Sequence, residues 1–329
     1  MPLLIRDSII TTGSQLLSNK DILDIYDGNN KKPIDFLEHI GRDKRYHCNG
    51  VTENTLSMGN KVALEILEKN NLKGEDIDLI AFCSQYPEYT VPSQSLLVHN
   101  HIRGKSRCVT LDINANCLGM LRGLDLINRY FNDKGGDIKK ALLIGSDCMS
   151  RFSDSSELVN IGGFGDGACA LLLEYTEQEG EGVIGSSDRS ISNEVFDCMY
   201  PRHGSSNVSK YSYNDTLTSW SDPDTSISID AMKDALDDIL VKHNMNISDI
   251  DWFCGSQFAK QFFDSIANRC DISTEKRIYV GDKYGYTGTS SPFFAFNEGF
   301  KEGRIKKGDV VFFTTVGVGI SVCSMLLRV

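Results

Sequence analysis

The sequence lacks several features that mark whole classes of protein. Its 329 residues contain no run of about 18 consecutive apolar residues, so no membrane-spanning helix is predicted. It has no Lys/Arg-rich run, and its 34 Lys and Arg are outnumbered by 45 Asp and Glu, which gives a formal net charge of −11. An acidic chain of this kind is a poor partner for nucleic acid, so none is expected.

Signals for secretion and for zinc binding are missing as well. The N-terminal segment MPLLIRDSIITTGSQ is too short and too polar for a secretory signal, so a cytoplasmic location is expected. The ten cysteines include no CxxC pair, so no metal or cofactor is predicted, and most are expected to be small buried hydrophobes. The composition, 40% apolar and 24% charged, is that of a globular protein, and the length suggests two domain-sized units.

What the sequence does contain is an internal repeat. Residues 58–85 and 232–257 both run from an amphipathic helix through an Asn-containing turn and the triplet Asp-Ile-Asp to an apolar strand ending in Ser-Gln. Two further matches follow in the same order, a Lys-rich turn before an apolar strand and a Gly-x-Gly loop before a final strand: 138–147 with 305–315, and 165–175 with 317–329. Three ordered matches predict a duplicated body.

Local patterns predict an α/β protein. Apolar runs bounded by Gly and charged residues predict strands at 78–83, 107–112, 140–146, 168–174, 251–255, 277–280, 309–315 and 320–328. Helical periodicity predicts helices at 55–70, 117–132, 228–243, 257–269 and 292–303. Such alternation is typical of a parallel or mixed sheet covered on both faces.

The repeat and the composition divide the chain into three parts. We expect an N-terminal half (1–175), a connecting excursion (176–226) and a C-terminal half (227–329). Residues 186–226 are rich in Ser, Asn, Asp and Tyr and have no hydrophobic periodicity. A long segment of this kind is expected to shape the entrance of a substrate pocket.

Cys117 lies in a more reactive setting than the other cysteines. The strand CVTLDI ends at Asn114, and apolar residues at helical spacing follow Cys117. This places Cys117 at a strand-to-helix turn, where free backbone N–H groups and the helix dipole stabilise a thiolate. The same donors suit an oxyanion hole. A structural cysteine at a helix start is the alternative when the segment is considered alone.

The segment DINANCLGML (112–121) resembles the nucleophile segment, usually DINAACSGF, of the β-ketoacyl-acyl-carrier-protein synthase III family. Other landmarks agree in order. FGDGACALLL resembles FGDGAGAVVL, HIGRDKRY resembles TGIRERR, TVPSQSLLVHNHI resembles TPSxxxxVQxxL, and VGVGISVCSMLLRV resembles the C-terminal Gly-rich loop and last strand. The resemblance covers the whole chain. It implies the thiolase fold, a duplicated α/β body with layers α-β-α-β-α.

The resemblance also implies roles for individual residues. Cys117 would be the acyl-accepting nucleophile, and its N–H together with that of Val318 would form the oxyanion hole. The family's other two catalytic residues, His and Asn in HQAN and GNTS, fall at Ser256 and Tyr286 here. In the family these two residues stabilise the enolate formed by malonyl decarboxylation. Ser256 is a poor base and Tyr286 has one hydroxyl, so that condensation is expected to be severely impaired.

Two further expectations concern donors and partners. The aromatic residue and the Arg of the family's coenzyme A clamp fall at Phe36 and His39, and Glu38 adds a negative charge. The clamp looks weakened, so acyl-carrier protein is an alternative donor to acyl-CoA. A homodimer through the first half is expected, with a heterodimer as the alternative. Glu88 or Tyr89 would then enter the partner's pocket, although Glu88 is equally well interpreted as a solvated loop acid.

The histidines offer no clear replacement for the missing base. His99 and His101 would lie on a strand near the dimer interface, and two ligands without a third make a weak metal site. His203 lies in the excursion and could reach a pocket mouth. His39 and His243 are expected at the surface.

Three functions remain open at this point. The first is an acyltransferase that forms an acyl-enzyme on Cys117 and passes the acyl group to an acceptor without standard malonyl condensation, in fatty-acid-derived or specialised metabolism. The second is a catalytically silent, ketosynthase-like subunit of a heterodimer. The third is an ordinary synthase III with a relocated base.

Overall fold

The computed structural model describes residues 3–133, 137–177, 180–192, 199–218 and 225–329 and places them in two main β-sheets, with helices between and around them. The strands are β1 (Leu3–Thr12), β2 (Gln15–Ser18), β3 (Lys44–His47), β4 (Leu79–Cys83), β5 (Val109–Ile113), β6 (Lys140–Asp147), β7 (Gly167–Tyr175), β8 (Gly182–Ser190), β9 (Trp252–Gly255), β10 (Val310–Gly317) and β11 (Ser321–Arg328). The helices are α1 (Asn19–Ile25), α2 (Pro33–His39), α3 (Thr55–Lys69), α4 (Gln94–His101), α5 (Gly119–Asn132), α6 (Leu158–Gly163), α7 (Thr225–His243), α8 (Lys260–Arg269), α9 (Gly281–Tyr284) and α10 (Ser291–Lys301).

The first sheet has the strand order β1-β7-β6-β4-β5. β4 is parallel to its neighbours β5 and β6, and β7 is antiparallel to β6 and β1. Every residue of β4 is buried, as a parallel strand covered on both faces requires. Ile80 and Phe82 pack in the same core as α3, whereas Ala81 and Cys83 pack in the core that contains α5.

The second sheet has the order β8-β11-β10-β9, in which β9 is parallel to β10. One face packs against α7 and α8 through residues such as Leu236, Ile266 and Phe312. The other face packs against α5 and α10, in a core that also includes side chains of the first sheet. The layers therefore follow the order helix, sheet, helix, sheet, helix, and the predicted duplicated α/β body is confirmed.

The two halves repeat their turn chemistry as well as their strands. α3 and α7 are each followed by an Asn in the left-handed region, Asn71 with φ 54° and Asn244 with φ 52°, a conformation that Asn adopts more readily than most residues. The last Asp of each Asp-Ile-Asp triplet accepts the backbone N–H of the first residue of the next parallel strand. Asp78 accepts from β6 at 2.9 Å, and Asp251 accepts from β10 at 2.8 Å. The repeated triplet thus ties together two parallel strands in each half.

Seven of the eight predicted strands are present, and the strand predicted at 277–280 is not. There the Val280 N–H donates to the side chain of Gln257 at 2.8 Å rather than to a neighbouring strand, and only Arg277 forms an isolated bridge. The sequence analysis did not predict β1, β2, β3 or β8. β1 is a half-exposed edge strand in which polar residues interrupt the apolar pattern.

The five predicted helices are all present, and the shorter helices α1, α2, α4, α6 and α9 were not predicted. The expectation that His99 and His101 lie on a strand is wrong, because both belong to α4. Residues two positions apart on a helix do not face each other, so the pair does not form a two-ligand site. Among the described residues, no helix is long and apolar enough to cross a lipid bilayer.

β8 lies within residues 176–226, which the sequence analysis assigned to the excursion, yet it pairs with β11 as an edge strand of the second sheet. Its Gly- and Ser-rich sequence conceals the alternation that marks other strands. The described residues 199–218 form only short 3-10 turns. The three-part division of the chain stays a prediction.

Candidate active site

Cys117 lies between the end of β5 and the start of α5, at a turn made by Ala115 and Asn116. Asn116 has φ 55°, and the turn closes through a hydrogen bond from the Gly119 N–H to the Asn116 carbonyl at 3.0 Å. α5 begins at Gly119, two residues later than predicted, so Cys117 precedes the first helical turn. The Cys117 side chain is 6% exposed.

Two backbone N–H groups beside Cys117 point at one oxygen atom. The N–H of Cys117 donates to the Asn116 side-chain oxygen Oδ1 at 2.8 Å, and the N–H of Val318 donates to the same atom at 3.4 Å. Val318 lies in the turn between β10 and β11. A Cβ at Gly317 would lie 2.5 Å from a methyl carbon of Leu118, so a side chain there would displace Leu118. The structure therefore places the Val318 N–H close to that of Cys117, and the role of the pair in an oxyanion hole stays a prediction.

Ser256 and Tyr286 also lie in this region. Ser256 follows β9, is fully buried, and its hydroxyl makes no hydrogen bond of ordinary geometry within the part of the chain that the structure describes. Burial and the nearby Cys117 thiol raise the pKa of the Tyr286 phenol well above its ordinary value, while the Ser256 hydroxyl lowers it. The Tyr286 hydroxyl therefore faces both the thiol and the serine. The roles of Ser256 and Tyr286 stay predictions.

An aromatic wall surrounds the thiol. Tyr86, Met149, Phe164 and Tyr286 form one buried cluster with Cys117. The Tyr286 ring lies 6.1 Å from that of Phe164 and 5.4 Å from that of Phe258, which packs against the same cluster. Such a lining favours an apolar acyl group and excludes water from the neighbourhood of the sulfur.

The segment 199–218 contributes to the same wall. The Tyr200 ring meets the Tyr86 ring edge-on at 5.1 Å, and the Tyr86 hydroxyl lies 3.0 Å from the Thr218 hydroxyl. His203 stacks on Tyr211 within this segment, with ring centres 3.9 Å apart. This part of the predicted excursion is therefore placed where it can shape the approach to Cys117.

Gln85 is the functional candidate that the sequence analysis missed. Its side-chain oxygen Oε1 accepts the Cys117 thiol hydrogen bond at 3.8 Å. Its side-chain nitrogen Nε2 donates to Asp147 at 3.4 Å, and its backbone N–H donates to the same carboxylate at 2.9 Å. Because a carboxylate only accepts, the amide must turn its oxygen toward the thiol.

A signal for Gln85 was present in the internal repeat. Both repeated strands end in Ser-Gln, which places Ser84-Gln85 in the first half and Ser256-Gln257 in the second. Gln257 also holds a backbone group, the N–H of Val280. In a duplicated fold, residues at equivalent strand ends are expected at equivalent places in the two halves. Because Ser256 was already a candidate site residue, the matching Ser84-Gln85 pair was predictable as a second contribution to the site.

Asp147 anchors this side of the site. It is fully buried and accepts the Ser84 hydroxyl and the backbone N–H groups of Gln85 and Thr289, each at 2.9 Å. Burial raises the pKa of Asp147 from 3.8 to about 6, in spite of these donors. The charged form of Asp147 therefore costs free energy in the folded protein. The hydroxyl and the two N–H groups that donate to the carboxylate hold it in place.

The raised pKa of Asp147 predicts a pH dependence of stability. A carboxyl whose pKa is higher in the folded state binds more protons there than in the unfolded chain, so its contribution is fully present below pH 4 and is lost as the pH rises through about 6. The loss is on the order of 3 kcal/mol. Urea unfolding of the wild type and Asp147→Asn between pH 4 and 7 measures it. Equal pH slopes for the two proteins would contradict the assignment.

One group of potential metal ligands lies outside this site. Cys48, Cys148 and Asp166 are buried, with their ligand atoms within 4.8 Å of one another. The Asp166 carboxylate already accepts the Cys48 N–H at 2.7 Å, the Ser150 N–H at 2.8 Å, the Ser150 hydroxyl at 2.5 Å and the Cys148 thiol at 3.5 Å. Its lone pairs are committed, so the cluster is fully explained as a hydrogen-bonded support for the loop after β6.

Two family models match the chain. The model of 3-oxoacyl-[acyl-carrier-protein] synthase III matches residues 111–190, and the model of its C-terminal part matches residues 240–329. The first range includes Cys117, and the second includes Ser256, Tyr286 and Val318. The chain belongs to the 3-oxoacyl-acyl-carrier-protein synthase III family.

Curated relatives match along the whole chain. The beta-ketoacyl-[acyl-carrier-protein] synthase III of Allorhizobium ampelinum is 28% identical over 333 residues, covering 99% of this chain and 100% of that protein. The protein of the same name from Chelativorans is 29% identical over 292 residues, covering 87% of each. As a member of this family, the chain is an acyl-transferring or condensing enzyme of the thiolase superfamily.

Solved structures confirm the fold. The 3-oxoacyl-[acyl-carrier-protein] synthase III of Aquifex aeolicus superposes with a TM-score of 0.86 at 23% identity, covering 98% of both chains. OleA of Xanthomonas campestris, crystallised with lauric acid and lauroyl-CoA, superposes with a TM-score of 0.82 at 17% identity, covering 100% of this chain and 99% of that one. At these identities the likeness shows the thiolase fold alone.

Proposed function

We propose that this synthase III family member is an acyltransferase that forms an acyl-enzyme on Cys117 and passes the acyl group to an acceptor without standard malonyl decarboxylation. The observation that carries the proposal is the asymmetry of the site. On one side, two backbone N–H groups converge beside the thiol. On the other, the positions of the family's His and Asn hold Ser256 and Tyr286.

The acylation step follows from the first side. The Cys117 thiol loses its proton to solvent, and the thiolate attacks the carbonyl carbon of an acyl thioester. The carbonyl oxygen becomes an oxyanion, which the N–H groups of Cys117 and Val318 stabilise. The intermediate then collapses, the donor thiolate leaves and takes up a proton, and the acyl group remains on Cys117 as a new thioester.

The second side opposes decarboxylation. An enolate needs strong hydrogen-bond donors at its oxygen. The Tyr286 ring is 3% exposed and is packed between Phe164 and Phe258, so it also fills space beside the thiol. Its phenol is one neutral donor with a raised pKa, and Ser256 supplies another neutral hydroxyl. Neither group has the basicity or charge of an imidazole. The acceptor is therefore an alcohol, an amine or another nucleophile that brings its own reactive electron pair.

The acyl donor is an acyl-carrier protein or an acyl-CoA, in fatty-acid-derived or specialised metabolism. The names of the curated relatives specify acyl-carrier protein, and OleA was crystallised with lauroyl-CoA. The aromatic wall around Cys117 supports an apolar acyl chain. No bound cofactor is required, because the thioester itself supplies the driving force. The nine described cysteines are all free thiols, which supports a reducing, cytoplasmic setting.

A homodimer is the proposed assembly. β5, which leads into Cys117, is an edge strand of the first sheet and leaves one row of backbone groups available for pairing. Tyr89 is 51% exposed and Glu88 is also exposed, so either side chain is free to contact a second subunit. A heterodimer with another ketosynthase remains the alternative.

A silent subunit is the second candidate function. It is favoured by one observation, the absence of the family's His and Asn from positions that the fold otherwise preserves. An ordinary synthase III with a relocated base is the third.

Intact-protein mass spectrometry separates the candidate functions. The folded, reduced protein is incubated with a panel of acyl-CoA and acyl-carrier-protein thioesters, and any mass gain is mapped by peptide analysis. An adduct on Cys117 supports acyl transfer and identifies the donor class. No adduct with any donor rejects the proposal and favours the silent subunit. Loss of CO2 from a malonyl thioester at a normal family rate would favour the ordinary synthase.

Gln85 is proposed to position the Cys117 thiol. Its replacement by Ala and by Glu is therefore expected to shift the pH midpoint of Cys117 alkylation in opposite directions. Gln85→Ala removes an acceptor of the neutral thiol, so the midpoint of the pH profile for Cys117 alkylation by iodoacetamide falls. Gln85→Glu places a negative charge beside the sulfur, so the midpoint rises by about one pH unit. Asp147 keeps the backbone donors of Gln85 and Thr289 in either variant, so the fold is retained.

Cys108 and Gln15→Ala are the controls for this experiment. Cys108 is a half-buried cysteine whose pKa is raised to about 11, and its alkylation profile is expected to stay unchanged. Gln15 is an exposed residue of β2, so Gln15→Ala removes an amide without touching the site. Midpoints that move in the same direction, or not at all, would show that Gln85 only fills space.

A further inference from the structure

The N–H groups of Cys117 and Val318 define a site where a substrate oxygen would bind, and the Asn116 side chain occupies that site. Asn116 Oδ1 accepts the N–H of Cys117 at 2.8 Å and the N–H of Val318 at 3.4 Å. These are the two donors that would stabilise the oxyanion in the proposed acylation. Because both are donors, the Asn116 amide must present its oxygen rather than its nitrogen to them. The side chain thus imitates a substrate carbonyl.

The contact is more than a local turn. An Asn side chain commonly bonds to the backbone of a close neighbour, and the bond to Cys117 taken alone would be of that type. The bond from Val318 joins residues 202 positions apart, across the contact between the two halves of the fold. The left-handed φ of Asn116, 55°, aims its side chain at that point. The absence of a side chain at Gly317 leaves the space that Asn116 fills, since a Cβ there would lie 3.2 Å from that of Asn116.

We propose that Asn116 is a gate for the oxyanion hole: its side-chain oxygen fills the hole in the free protein and must rotate away before a thioester carbonyl can enter. The proposal rests on the proposed function, because it assumes that acylation takes place on Cys117. The family segment DINAACSGF has alanine at this position, and an alanine side chain has no group that could fill the hole.

The gate has a chemical consequence for the choice of substrate. An amide oxygen is a better hydrogen-bond acceptor than a thioester oxygen, so the carbonyl of a bound but unreacted donor competes poorly for the two N–H groups. An oxyanion is a stronger acceptor than either, because charge-assisted hydrogen bonds are about twice as strong as neutral ones. The Asn116 oxygen is therefore displaced only as the thioester oxygen becomes an oxyanion, and the cost of breaking its two hydrogen bonds adds to the barrier of acylation. Stray thioesters that gain no binding energy elsewhere are disfavoured.

The experiment compares three substitutions of Asn116 with the wild type. The probe is S-acetyl-N-acetylcysteamine, a short acetyl thioester, and the readout is the rate of acetylation of Cys117 by intact-protein mass spectrometry. Each rate is divided by the rate of Cys117 alkylation with iodoacetamide, which corrects for changes in the ionisation of the thiol. Asn116→Ala is expected to raise this ratio on the order of tenfold, since two hydrogen bonds no longer have to be broken.

The other two substitutions test the direction and the backbone. Asn116→Gly adopts the left-handed conformation without strain and is expected to raise the ratio as alanine does. Asn116→Asp places a charged acceptor in the hole and is expected to lower the ratio. An unchanged or lower ratio in both Asn116→Ala and Asn116→Gly would overturn the gate and make Asn116 a support of the nucleophile turn.

A readout without substrate separates the gate from the proposed function. Hydrogen–deuterium exchange is measured for peptides containing the N–H groups of Cys117 and Val318. Both are expected to exchange faster in Asn116→Ala and Asn116→Gly than in the wild type, and equal exchange would overturn the gate. Faster exchange without acetylation of any variant would leave the gate standing and reject the acyltransferase. Acetylation of the wild type, with no effect of the Asn116 substitutions on rate or exchange, would support the acyltransferase and reject the gate.

Discussion

Replacement of Cys117 by alanine is expected to abolish the acyl adduct. The sulfur is the nucleophile of the proposed reaction, and no other described cysteine lies beside two converging backbone donors of this kind in the structure. Burial raises the pKa of Cys83, Cys169, Cys254 and Cys323, which keeps those thiols neutral. The mass gain seen with an acyl thioester should therefore fall below detection in Cys117→Ala, in protein that melts at the wild-type temperature.

Cys108→Ala is the matched control for this prediction. Cys108 is the one described cysteine that is not fully buried, so it is the most accessible thiol for non-specific labelling. Its removal is expected to leave the adduct unchanged. Acylation that persists in Cys117→Ala and maps to another cysteine would refute the assignment of the nucleophile.

The double variant Ser256→His with Tyr286→Asn is expected to gain malonyl decarboxylation, by at least about 100-fold over the parent protein. It restores the residue types of the family at both positions. Removal of the buried Tyr286 ring opens space between Phe164 and Phe258, and an imidazole at the neighbouring position 256 can extend into that space. Conversion of malonyl-CoA or a malonyl carrier protein to the acetyl form, followed by mass spectrometry, measures the gain.

The single variants and a stability measurement control this experiment. Ser256→His alone should gain little, because Tyr286 still fills the space that a malonyl group needs. The loss of a buried tyrosine costs about 3 kcal/mol or more, so thermal unfolding must show that the double variant is folded at the assay temperature. A folded double variant without any gain would mean that the other residues around Cys117 suit a different acceptor.

The groups around Cys117 indicate that its thiol has low reactivity in the free protein. Gln85 accepts the proton of the neutral thiol, and Asn116 fills the hole that an oxyanion would need. Tyr286 offers one hydroxyl on the remaining side. The Gln85 contact favours the neutral thiol over the thiolate, and the Asn116 contact favours the protein without substrate over the acylation transition state. Binding energy from the acyl chain and from its carrier must then supply what a histidine would otherwise provide.

Features that depend on local patterns were predictable from the sequence. Periodicity and apolar runs were sufficient for the buried strands and the long helices, because each of these elements shows its buried face in residues that are close together. The repeated Asp-Ile-Asp triplets revealed the duplication. The segment around Cys117 predicted its position at a strand-to-helix turn, between β5 and α5. The ordered motifs indicated the synthase III family, which the family models confirmed.

Local patterns failed where tertiary contacts decide the structure. The run at 277–280 looks like a strand, but a side chain from elsewhere in the chain takes one of its backbone hydrogen bonds. β1 and β8 are edge strands of the two sheets, so their hydrogen bonds come from β7 and β11 and their sequences need little alternation. The histidines at 99 and 101 were placed on a strand because the eight residues of α4 show almost no amphipathic pattern.

The hydrogen bonds of the site depend on contacts that form only in the folded chain. Gln85 meets Cys117 because β4 and β5 are parallel neighbours and both residues follow the same edge of the sheet. The N–H of Val318 reaches Asn116 because the Gly-rich turn of the second half lies against the nucleophile turn of the first. Neither contact can be inferred from the spacing of the residues along the chain. The first arises from the order of strands in one sheet, and the second from the packing of the two halves against each other. The sequence therefore singled out Cys117 as the candidate nucleophile, and the fold specified which groups surround it.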